Sequence, residues 1–158
     1  MTLPIDAQIM DALADLLQGA AATEDRSDIP GVGALFLDAA RVASEPDGVV
    51  IRLDREGEAL DRVLSACQVV STLPVVITIS KPRKPGDPPN WRILGPFCAA
   101  VHARIMAGRR DLEGLCIDIE SRGRIHEHNL QACEVRMIYN VTYYTAISNI
   151  TLHEEGNA

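Results

Sequence analysis

Residues 133–147 read CEVRMIYNVTYYTAI, and their alternation decides the fold class. Cys133, Val135, Met137, Tyr139, Val141, Tyr143 and Ile147 fall on one face of an extended chain. Glu134, Arg136, Asn140, Thr142 and Ala146 fall on the other, with Ile138 and Tyr144 as apolar exceptions. A side-chain period of two marks a strand with one face on a core and the other in water. The usual strand is about 5–6 residues. One this long is expected to overrun its own sheet, leaving backbone groups that must be covered or paired elsewhere.

Three further strands read outward from it. Val75 to Ile79 is a short β-branched run, as a buried strand requires. Leu115, Ile117 and Ile119 alternate with Cys116, Asp118 and Glu120, giving a half-buried strand that Arg122–Gly123 bends or continues. Ala34 to Leu37 is a short strand. Asp47–Gly48 is a two-residue hairpin signal that would join residues 40–45 to 49–54, with Val49, Ile51 and Leu53 on one face. Residues 57–70 fit two patterns. Leu60, Val63, Leu64 and Cys67 recur at helical spacing, which favours a helix as far as Cys67. Alternatively, Cys67 and Val69 run on through Pro74 into Val75–Ser80 as one long strand.

Residues 3–18 form an amphipathic helix on a stripe of Ile5, Ile9, Leu13, Leu16 and Leu17, with Asp6, Asp11 and Asp15 off it. Thr2 suits its cap, Pro4 its first turn and Gly19 its stop. Ala20 to Gly31 is a small, polar loop. Lys81 to Pro89 reads KPRKPGDPP, too rich in proline for a helix or a central strand. This exposed loop carries both lysines of the chain and Arg83, with Trp91 and Arg92 just beyond. Pro96 is expected to start a second helix with Phe97, Val101 and Ile105 buried and Gly108 at its end. Together these elements give an α+β fold, a mixed and mainly antiparallel sheet with two or three helices packed on it. Residues 1–152 are expected to form a single domain and 153–158 a flexible polar tail.

The 158 residues carry a net charge of −7, unevenly spread. Residues 1–61 hold thirteen acids and four arginines, residues 62–112 eight bases and two acids, and residues 113–158 seven acids and three arginines. An acidic whole argues against general nucleic-acid binding, which needs a basic face. Opposite blocks on one small body suit a head-to-tail contact between copies. The opening segment has no basic residue and no unbroken apolar run, so no secretory signal is expected. No apolar run approaches the roughly 20 residues of a membrane span. Cys67, Cys98, Cys116 and Cys133 are widely spaced in apolar surroundings and read as buried thiols.

No motif marks a catalytic or cofactor site. Cys116, His126, His128 and Cys133 are the best zinc candidates, but they lack the tight pair spacing of a structural site. Cys98 and His102 share a helical face without an orienting acid. There is no Gly-x-Ser-x-Gly elbow and no phosphate loop. No metal, cofactor or enzymatic activity is expected.

The order helix, short strand, hairpin, strand, basic loop, helix and two closing strands resembles the tail terminator proteins of long-tailed bacteriophages, the minor tail protein U type. The resemblance spans roughly residues 3–150. It rests on the helix Ile5 to Leu17, on Pro74-Val-Val-Ile-Thr-Ile79 with its loop and the helix Pro96 to Ala107, and on Glu134-Val-Arg-Met-Ile-Tyr-Asn-Val-Thr-Tyr-Tyr144. It implies a virion protein at the tail–neck junction, assembled in the host cytoplasm. Such a protein forms a homohexameric ring that caps the tail tube and offers a surface to head–tail connector and neck proteins. Its partners would be copies of itself, the tube protein and the connector, with no membrane and at most incidental contact with passing DNA. On this reading Lys81, Arg83, Lys84, Trp91 and Arg92 are interface or lumen residues. Arg109 and Arg110 would meet acids of a neighbouring copy such as Asp6, Asp11 or Asp15. The alternatives are another neck or head-completion protein, or a small cytosolic enzyme or ligand-binding domain.

Overall fold

A computed structural model of the chain describes residues 3–23, 25–37, 48–65, 68–108, 112–128 and 132–146. The elements run α1 (Ile5–Gln18), β1 (Val32–Leu37), β2 (Val49–Arg55), β3 (Leu60–Ser65), β4 (Gln68–Pro82), α2 (Asn90–Ala107), a short 3-10 turn (Leu112–Gly114), β5 (Asp118–His128) and β6 (Ala132–Ala146). The fold is α+β. Among the described residues six strands form one sheet in the order β1-β2-β4-β6-β5, with β3 joined to β4, and only the β1–β2 pair is parallel.

The expected closing strand is present as β6, and its odd-numbered residues Cys133 to Tyr143 are buried. It does not overrun its sheet. β4 is equally long, and the two pair without a break from Gln68 opposite Ala146 to Pro82 opposite Ala132. Of the two readings of residues 57–70, the helix is wrong. Leu60–Ser65 is strand β3, and Gln68 onward is the long, proline-containing strand.

Pro74 lies within that central strand because of where its nitrogen points. In an antiparallel strand the N–H and C=O of one residue face the same side. The Pro74 carbonyl accepts from the Glu56 amide at 2.9 Å, on the edge facing β2 and β3. β2 pairs with Val75–Ser80 and β3 with Gln68–Thr72, so the proline's missing donor falls in the gap between them. The β6 ladder is untouched.

β2 gives one edge to β1 and the other to β4 along Val50–Leu53. The hairpin expected at Asp47–Gly48 would join residues 40–45 to this strand. Residues 40–45 themselves lie outside the described residues, as do Thr2, Cys67 and residues 153–158.

Both helices lie on one face of the sheet. Ile9, Leu13 and Leu17 of α1 and Leu94, Cys98, Val101 and Ile105 of α2 meet Ile51, Leu53, Leu73, Val75, Ile77, Ile79 and the inward residues of β6. Burying each large aliphatic side chain contributes about 1.5–3 kcal/mol. α2 begins at Asn90, six residues before the expected Pro96. Pro96 sits inside the helix on its exposed side, so the lost hydrogen bond is at the solvent face. Gly108 ends α2 where α1 comes close: a Cβ there would stand 2.6 Å from Leu16 Cδ1. β5 begins at Asp118 and runs to His128, passing Gly123 through a bulge.

Ile77 is fully buried in β4 between β2 and β6. Ile77→Ala is expected to cost about 2–5 kcal/mol. Urea unfolding should show a lower midpoint with an unchanged slope.

Candidate functional site

Two surface features lie at opposite ends of the β4–β6 pair. At the Gln68 end, β3 forms an edge strand with all six residues exposed. Leu60 is 74% exposed, Val63 69% and Leu64 52%, and Tyr144 of β6 nearby is 48% exposed. Among the described residues β3 pairs only with β4, so its outer backbone edge has no strand beside it. Glu56, Glu58 and Asp61, before and within β3, are exposed acids, with Arg62 among them. One bond fastens β3 from within: the buried Ser71 hydroxyl donates to the Asp61 carboxylate at 2.5 Å.

At the Pro82 end, an open groove is lined by Arg83, Asp87, Pro89, Asn90, Trp91 and His126. Its loop is built, not loose. The Lys84 amide donates to Asp87 Oδ2 at 2.8 Å, and the Asp87 amide donates to the Lys84 carbonyl at 3.1 Å. These bonds close a turn over Pro85–Gly86, where Gly86 takes φ +85°, a conformation glycine adopts at no steric cost. Asn90, nearly fully buried, is the anchor. Its Oδ1 accepts from Arg83 Nη1 at 2.9 Å, and its Nδ2 donates to the Glu127 carbonyl at 2.7 Å. Trp91, 64% exposed, stands on the first turn of α2.

Of the residues expected at an interface, the structure brings Arg83 and Trp91 into this groove. Lys84 and Arg92 are exposed beside it, and Lys81 is half-buried on β4 opposite Cys133. Asp11 and Asp15 are exposed on α1. Asp6 is engaged within its own chain by Arg55 at 2.8 Å. Arg109 and Arg110 lie outside the described residues. The apolar residues of β3 were not expected on the surface, since their helical spacing implied a buried stripe. Nor was Asn90, which sits in a run of loop-forming residues.

Compared with models of known protein families, the chain matches none. No curated protein matches it in sequence.

His102 Nδ1 and Tyr139 Oη are hydrogen-bonded at 2.8 Å, their rings stacked with centroids 5.9 Å apart. Burial pushes the Tyr139 hydroxyl up to about 12, against a smaller opposing effect of Arg124. Burial also pushes the Cys98 thiol up, the reverse of what a nucleophile needs. The zinc candidates are split. Cys116 precedes β5 and His126 lies near its far end, roughly 30 Å away at about 3.3 Å per residue. Cys133 faces the core. Among the described residues no three metal-binding side chains come together, and no helix is long and apolar enough to cross a membrane. The Asp28 carboxyl is held below the usual range, first by the Ala20 amide it accepts from and also by Arg104, which ties α2 to the loop after α1.

Asn90→Ala is expected to cost about 1–3 kcal/mol, because it strands the groups Asn90 satisfies. It should also loosen the loop. Trypsin does not cut before proline, so Arg83–Lys84 is the loop's susceptible bond, and its cleavage should accelerate several-fold by mass spectrometry.

Tyr139 has a folded value of about 12 against the ordinary 10.0. Its contribution to stability is therefore complete below pH 10 and lost as pH rises toward about 12. Tyrosinate absorbance should show a late component near pH 12 that Tyr139→Phe removes.

Proposed function

We propose that this chain is a virion assembly protein, a tail terminator that closes the end of the tail tube as a ring and offers the ring's other face to the neck. The mechanism is steric: docked copies cover the growing surface of the tube and replace it with a new one. The observation that carries this reading is β3, which presents Leu60, Val63 and Leu64 to water and, among the described residues, has a strand beside it on one edge alone. A folded chain gains nothing from leaving such a strand bare. Burying each of those side chains against a neighbour is worth up to about 1.5–3 kcal/mol, and an open strand edge is a template for another chain. The sequence-level resemblance supplies the kind of assembly, and the split of acidic and basic blocks suits contacts between unlike faces.

Sedimentation velocity at micromolar protein tests this, run with the chain alone and with tail tube protein. A closed oligomer, alone or on the tube, is the expected outcome. Leu60→Asp combined with Val63→Asp should abolish it while leaving the melting temperature nearly unchanged, because both positions are exposed. A chain that stays monomeric and ignores tube protein overturns the reading.

A further inference from the structure

Resting on that reading, we propose that the β3 edge of one copy seats in the Arg83–Trp91–His126 groove of the next copy, so that successive copies join head to tail through these two surfaces. The occupant of the groove is thus a second copy of this chain.

Three observations point to it. First, the surfaces are complementary in charge. The β3 end carries exposed Glu56, Glu58 and Asp61 against the single Arg62. The groove end carries Arg83, Lys84 and Arg92 against Asp87, whose carboxylate is already used by the Lys84 amide, and Glu127, which is paired with Arg136.

Second, they are complementary in character. Branched aliphatic side chains stand exposed at one end and a tryptophan at the other. Aromatic and arginine residues are the types enriched where interfaces are buried. Asn90 holds the Arg83 side of the groove in place before any partner arrives, which lowers the ordering cost of binding.

Third, they sit on the two halves of one stiff element. β3 lies along Gln68–Thr72 of β4 and the groove follows Pro82, at least about 33 Å farther on at 3.3 Å per residue. A contact between unlike surfaces can repeat from copy to copy, and it forms a ring when the rotation closes. Pairing β3 with another β3 would instead bring together the acids Glu56 and Glu58 that precede each strand and leave Trp91 in water.

Two variants at exposed positions separate this contact from any other. Leu60→Arg with Val63→Arg spoils the β3 surface and leaves the groove whole. Lys84→Glu with Trp91→Glu spoils the groove and leaves β3 whole. Circular dichroism and melting confirm that each is folded. Under the conditions in which the wild type assembles, each variant alone should sediment as a monomer. A one-to-one mixture should give dimers and nothing larger, because one good contact forms and both outer surfaces are dead. A groove variant that assembles like the wild type, or a mixture of folded variants that stays monomeric, overturns the proposed contact and leaves the assembly reading standing. A wild type that assembles neither alone nor with tube protein removes both.

Discussion

The unbroken antiparallel pairing of β4 with β6, fifteen residues on each side, is the constraint from which the rest of the molecule follows. Because side chains alternate, a one-residue slip would carry Leu73, Val75, Ile77 and Ile79 out of the core and bring Pro74, Val76, Thr78 and Ser80 into it. The register is therefore fixed by burial along its whole length, and both helices pack on the face it defines. The outer edges of the pair are then assigned in turn, β5 along β6, and β2 followed by β3 along β4. Everything that reaches the surface at either end is positioned by this one rigid pair.

What the sequence discloses is what local periodicity can carry. β6 is legible because its alternation is long and nearly unbroken, and α1 because its stripe and its closing glycine agree. The errors arise where a local pattern admits two answers and a distant partner chooses. Leu60, Val63 and Leu64 have helical spacing, and that reading assumes apolar residues are buried; in β3 they are not. Pro96 suggests a helix start, and Pro74 lies within a strand on one of the two readings of residues 57–70. Each sits inside an element, at a place where the missing N–H is not needed. The parallel β1–β2 pair and the matching length of β4 are long-range facts with no local trace.

The candidate surfaces were partly legible for the same reason. Loop composition located Arg83, Lys84, Trp91 and Arg92, because prolines and charges together forbid burial. It could not identify Asn90, whose role depends on the Glu127 carbonyl 37 residues away. Several charges that sequence leaves open are satisfied at home, as Asp6 is by Arg55, Asp28 by Arg104 and Glu127 by Arg136. Cys98 and His102, the one pairing with a nucleophilic look, divide between a buried thiol and a stacked hydrogen bond to Tyr139.

The proline within β4 has a consequence for how the sheet yields. Since its nitrogen cannot donate toward β2 and β3, those two strands are separate pieces of ladder, with the Glu56 amide bonded to the Pro74 carbonyl in the gap. A piece with little buried area of its own can open at far less free energy than the global transition. The backbone amides of β3 should therefore exchange with solvent as an independent unit while those of β2 stay protected, and docking onto another surface would close that local equilibrium.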